Sequence, residues 1–252
     1  PDVVNRAPWR VGQACLTIRR PGYVRYLVLV RNPGRGFPAT NDRFSSWKRR
    51  IKPHRSWVYV VCAVSTQARY TRSMSICNDV LRFWFEEAGP KRWFRASDDF
   101  DRLCRERFLA TLEAAARGEC WTWRQTPEGR CAEIVVLDQL SRNLYRGTAK
   151  AFAQDGMALV LAQEAVARGD DLRMTGDQRF FSYMPYMHSE SLHVHDEALR
   201  LFEDLGNDEA LRYEKLHREV IVRFGRYPGR NVALDRSSTA DELTYLETHG
   251  GF

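Results

Sequence analysis

What limits the fold of this chain above all is a series of helix-length segments, each opened by a capping residue or proline and closed by glycine, running from Ile76 to the C-terminal region. Ile76, Val80, Phe83 and Trp84 recur at helical spacing until Gly89 and Pro90 stop the segment. Ser97 then caps a second segment, whose stripe of Phe100, Leu103, Cys104, Phe108, Leu112 and Ala115 ends near Gly118. Thr126 followed by Pro127 opens a third, to about Leu144, and its stretch CAEIVVL is apolar nearly all round, which predicts a central helix. A fourth runs from about Asp155 to Arg168, and Thr175 with Gln178 forms a capping box for a fifth that Pro185 should kink or end. The sixth follows Ser191 and stops at Gly206, the seventh spans about Asp208 to Phe224, and Thr239 with Glu242 starts a short last helix. Nothing after Met74 alternates with period two, so no sheet is expected there. Seven or eight helices with short connections imply an all-α fold of antiparallel helical hairpins.

Residues 1–73 read differently. They hold 15 Lys and Arg against only Asp2 and Asp42, whereas residues 74–252 hold 24 basic and 30 acidic side chains, so the whole formal charge of +7 comes from the N-terminal stretch. A mildly acidic helical unit is not expected to bind nucleic acid. The cluster Trp47, Lys48, Arg49, Arg50, Lys52, Arg55 and Trp57 fits a nucleic-acid or membrane-surface arm. The abrupt change at Ser73 favours another expectation: 1–73 is a basic extension, disordered or upstream sequence carried in by an early start, and 74–252 is the helical domain beginning at Met74. Two short apolar runs in it, YLVLV and WVYVVCAV, look like strands. No apolar run approaches the roughly 20 residues of a membrane helix. The six cysteines form no CxxC pair, which fits free thiols in a reducing, cytoplasmic setting.

Three segments carry more polar residues than helix solubility needs: DQLSRNLYRG from Asp138, RFFSYMPYMHSE from Arg179 and HREVIVRFGRYPGRN from His217. In this order and spacing they resemble a bacterial family of uncharacterised proteins, domain of unknown function 924, over about Val80 to Leu246. The family pattern usually has Phe-Pro where this chain has Leu140 and Ser141, and often His where it has Gly229. The resemblance implies a helical, tetratricopeptide-like superhelix and supplies no activity. A repeat of roughly 34 residues, the tetratricopeptide period, is not visible in the residues themselves.

The individual residues leave alternatives open. Asp138, Arg142 and Arg146 are spaced to share one helix face beside Asn143, either as an Asp138–Arg142 ion pair or as a carboxylate orienting an arginine fork for an anion. His188 and Glu190 follow the proline-disturbed helix and suit an acid–base pair; equally, Ser189 or Ser191 caps the next helix and His188 satisfies a carbonyl. His193 and His195 lie two apart on a helix, about 200° around its axis, so no metal site is expected. His217 lies beside an apolar stripe, and Arg226, Arg230 and Asn231 surround the FGRYPGRN turn.

Two functions follow as expectations. One is a binding scaffold with a polar, arginine-rich pocket for an anionic small molecule or a protein partner, its groove walled by Trp121, Trp123, Tyr183 and Tyr186. The other is an enzyme acting on an anionic small molecule, with Arg142, Arg146, Arg179 and Arg226 as clamps, His217, Arg230, Asn143 and Asn231 as further ligand contacts, His188 and Glu190 as acid and base, and Asp138 as the orienting group. Neither requires a cofactor, a metal or a membrane.

Overall fold

The structure is a computed structural model and describes residues 13–20, 23–30 and 64–251. The chain divides into two units, Pro1–Thr71 and Arg72–Phe252. In the first, β1 (Gln13–Arg20) and β2 (Tyr23–Val30) pair antiparallel, with Gln13 opposite Val30 and Arg20 opposite Tyr23. The run YLVLV lies in β2. Residues 31–63 fall outside the described residues, and with them the basic aromatic cluster and nearly all of the second apolar run.

The second unit is all-α. Helix α1 (Val64–Leu81) opens ahead of the boundary at Arg72 and well before the point where apolar periodicity begins, because no glycine or proline interrupts the chain between Val64 and Ala88. It continues as a π-helical segment, Arg82–Ala88, which ends where the Gly89 amide bonds the Trp84 carbonyl five residues back. The short α2 (Pro90–Trp93) and the long α3 (Asp98–Ala116) follow, α3 capped by the Ser97 hydroxyl.

The central helix is built of α4 (Pro127–Ile134), a π-helical segment Val135–Leu140, and α5 (Ser141–Leu144). Every residue from Cys131 to Ser141 is buried, as the all-round apolar stretch requires. The Thr126 hydroxyl accepts from the Gly129 amide at 3.0 Å, and Pro127 fills the first helical position, whose amide would have no partner. Thr126→Ala is therefore expected to cost about 1 kcal/mol, read as a lower urea midpoint with an unchanged slope.

After a 3-10 turn at Ala149–Ala151 come α6 (Asp155–Ala167), α7 (Gly176–Met187), α8 (Leu192–Leu205), α9 (Asp208–Phe224) and α10 (Ala240–His249). Both expected capping boxes are present, at Thr175 with Gln178 and at Thr239 with Glu242. Gly206 and Gly225 end α8 and α9 in the left-handed conformation, which residues with a Cβ adopt only at a cost. Pro185 sits inside α7 two residues before its end, so the helix stops soon after it without breaking there. Short turns fold α7, α8 and α9 against one another as successive hairpins, and α4 packs on α6 and α7. Aromatic rings fill the space between the Arg82–Ala88 segment, α2 and α7: Phe181 meets Trp84 at 5.5 Å and Trp93 at 4.7 Å between ring centroids, nearly edge to face. No described helix is long and apolar enough to cross a membrane.

Candidate functional site

Asp138 lies in the π-helical part of the central helix, where an extra residue per turn redirects side chains, and its side chain is fully buried. Its Oδ1 is 2.7 Å from Nδ1 of His188, the C-cap of α7, and its Oδ2 accepts from the Gln139 amide. One turn on, Arg142 donates Nη1 to the Asp138 carbonyl at 2.7 Å and lies 3.2 Å from the Asp138 carboxylate. The same guanidinium holds Asp155, in the first turn of α6, with two bonds of 2.9 and 3.0 Å.

Arg230 closes the cluster from the turn after α9. Its Nη1 lies 3.2 Å from Asp155, its Nη2 donates to the His188 carbonyl at 2.9 Å, and its guanidinium rests 4.4 Å from the Tyr227 ring and 4.9 Å from the Phe152 ring. Two arginines thus face two carboxylates around a histidine brought in from a third element.

Burial opposes ionisation of Asp138, but Arg142 and His188 outweigh it and hold the carboxyl far below the ordinary range. Burial lowers the pKa of His188, and Arg142 adds to that, so the imidazole is neutral at pH 7. Arg142 is raised despite burial, because Asp138 and Asp155 flank it. Arg230 is lowered by burial and by Arg142. Since Asp138 is an ionised acceptor, the neutral imidazole carries its proton on Nδ1 and leaves the Nε2 lone pair with no hydrogen-bond partner among the described residues. The His188 side chain is 11% exposed.

The other residues singled out in the sequence have separate engagements. Arg146 lies beyond the end of α5, not on a shared face with Asp138, and forks onto Asp101 of α3 at 2.6 and 2.9 Å, with Asn143 on the same carboxylate at 2.7 Å. Arg179 bonds Tyr183, whose hydroxyl donates to Asp171. Arg226 forks onto Glu242, and buried Asn231 links Ser238 and Arg236. Glu190 accepts two bonds from Arg236 and one from the Tyr227 amide, which hold it below the ordinary carboxylate range although burial opposes this. His217 donates from Nδ1 to the Tyr213 carbonyl, and burial lowers it to about 3.

Arg142, Arg146, Arg179 and Arg226 therefore each answer a different carboxylate, and only Arg142 belongs to the His188 cluster. Of the four expected groove walls, Trp123, Tyr183 and Tyr186 are buried in the core, where large apolar side chains gain most, and Trp121 alone faces solvent. Two shallow grooves lie elsewhere: one of about 290 Å³ is lined by Ile76, Arg107 and Phe108, the other, of about 270 Å³, by Leu199, Arg218 and Val222. Sequence reasoning missed Asp155, Phe152 and Tyr227. Asp155 reads in sequence as an ordinary acidic residue in a helix's first turn, and only the fold sets it between two arginines.

No curated protein matches the chain at a significant level. A solved structure from Agrobacterium tumefaciens, that of the protein of unknown function ATU0120, is similar to it, with 38% identity, a TM-score of 0.66, and a match covering 69% of this chain and 98% of that one. A family model described as "Bacterial protein of unknown function (DUF924)" matches residues 80–250, which include Asp138, Arg142, Asp155, His188 and Arg230. This chain belongs to that family.

Proposed function

We propose that this protein takes a small polar molecule at the rim of the Asp138–His188 cluster, with Arg142 contacting an anionic group and His188 Nε2 accepting a proton or hydrogen bond from it. The observation that carries this reading is the 2.7 Å contact between His188 Nδ1 and a fully buried carboxylate. A carboxylate so placed fixes the tautomer and the ring, which is what a general base needs. A ligand with a hydroxyl or N–H beside a carboxylate or phosphate matches both groups. Glu190 is no part of the acid–base pair in this reading, since Arg236 and the Tyr227 amide occupy it. The burial of three of the four expected wall residues weighs against a broad peptide groove at that place and in favour of a small ligand.

The test is a thermal-shift screen of the full chain against hydroxy acids, amino acids and phosphomonoesters, repeated with His188→Ala and Arg142→Ala. Ligand at about 100 times Kd contributes about 2.7 kcal/mol, or roughly 5–10 °C in a domain of this size. The shift should vanish in both variants and persist in Arg200→Ala, which alters an exposed ion pair elsewhere. Turnover assays on the ligand found would then separate a general base from a binding site. A screen without any shift, on folded protein, defeats the proposal.

A further inference from the structure

A second histidine–carboxylate pair lies behind the first. His195 of α8 is fully buried, with Nδ1 2.6 Å from Glu214 Oε1 of α9, and Nε2 2.9 Å from the Ser189 carbonyl and 3.2 Å from the Tyr227 hydroxyl. The single proton of Tyr227 is directed at the Met187 carbonyl, 2.5 Å away. Nε2 must therefore carry the proton donated to Ser189.

A neutral imidazole protonated at Nε2 presents a lone pair at Nδ1, and an ionised Glu214 would oppose it with another at 2.6 Å. That contact is repulsive unless a proton lies between the two atoms. The second Glu214 oxygen, Oε2, is buried with no hydrogen-bond partner among the described residues, a setting that penalises a free carboxylate. We infer that His195 and Glu214 hold one shared proton that latches the Ser189–Ser191 turn, and that losing this proton as pH rises frees the turn next to His188.

The link is short. His195 grips the carbonyl of the residue that follows His188, and the Ser189 hydroxyl in turn accepts from the Ser191 amide at 3.2 Å. The charged and titratable groups around the pair are His217 and Arg218 of α9, Tyr227 and Arg230 from the turn after it, and His188 and Glu190 from the turn before α8. Arg218 is already engaged with Asp196. Burial raises the Glu214 carboxyl above its ordinary value, so its contribution is complete below that value and is lost as pH rises through the raised one. The inference concerns the turn alone and stands whether or not His188 takes a ligand.

Amide exchange of the full chain tests it. After correction for intrinsic rates, protection at Ser189, Ser191 and Val194 should be greatest in the ordinary glutamate range and fall as pH rises through the raised value, about tenfold for each pKa unit of the rise. In Glu214→Gln the carboxamide donates an N–H to Nδ1 and holds no titrating proton, so protection there should not follow pH. Protection that is flat in the wild type, or equally pH-dependent in Glu214→Gln, overturns the latch. If that variant does not fold, nitrogen NMR of the wild-type imidazole decides: protonated Nε2 with a proton bridged to Nδ1 supports it, and a bare Nδ1 lone pair in the ordinary glutamate range overturns it.

Discussion

Gly129→Ala is expected to destabilise the protein by about 3 kcal/mol, although in an isolated helix the same change would stabilise by up to about 1 kcal/mol. The position is the third residue of α4, buried and helical, so propensity alone favours alanine. Its Cβ, however, would lie 2.0 Å from the Trp123 carbonyl oxygen and 2.8 Å from the carbonyl carbon. Those are backbone atoms of a 3-10 turn, Trp121–Gln125, and no rotamer change can move them aside. Relief requires displacing the turn, and with it Trp123, whose indole is buried and donates to Ser73. The Thr126 cap, 3.0 Å from the added methyl, would be disturbed as well. Urea unfolding followed by tryptophan fluorescence reads the change, and a variant as stable as the wild type would show that the turn yields at little cost.

Asp138→Ala should be costlier still, at about 3–5 kcal/mol, because it strips the partner from charged and polar groups that stay buried. Arg142 would keep Asp155 but lose the carboxylate 3.2 Å away, and His188 Nδ1 would lose its acceptor. Asp138→Asn should cost less, since an amide oxygen can still accept from the imidazole while the charge facing Arg142 is gone. The two variants also separate the acid behaviour. Asp138 titrates below its unfolded value in the folded chain, so it contributes stability above the ordinary aspartate range that is lost as pH falls through the folded value. His188 and His217 are lowered too, by burial first, and they likewise weaken the fold as pH falls below the ordinary histidine range. In Asp138→Asn the step near the histidine range should remain and the carboxylate step below it should shrink. An unchanged acid profile in Asp138→Asn would show that other groups set it.

The helical frame was legible in the sequence because its boundaries are local chemistry. Thr126, Thr175 and Thr239 bond amides three residues on, and Gly206 and Gly225 supply left-handed stops, so the residues that decide each end sit beside it. The site was legible only in part. Asp138, Arg142, His188 and Arg230 stood out as polar residues in otherwise apolar or turn segments, and they do meet. What could not be read was which partner each would take, since Asp155 comes from α6, Asp101 from α3 and Arg236 from beyond α9. Such pairings are set by tertiary packing and leave no periodic trace. The placement of Arg146 on the face of Asp138 assumed an unbroken α-helix, and both the π-helical segment and the end of α5 intervene. Ser141, where the family pattern usually has proline, buries a hydroxyl with no hydrogen-bond partner among the described residues, a cost that proline would not carry.

The π-helical segment at Val135–Leu140 means that the central helix spends one residue more than an α-helix of equal rise would. A single-codon deletion there would return it to ordinary winding with the flanking helical segments close to their present places, and the side chains within the segment, Asp138 among them, would be redirected. α4 could keep its seat on α6 and α7 and α5 its seat on α3, with Asn143 still facing Asp101 and Arg142 still facing Asp155. The extra residue thus sets the direction of the side chains at these six positions, and with it the aim of Asp138 at His188, more than it sets the seats of the helices on either side.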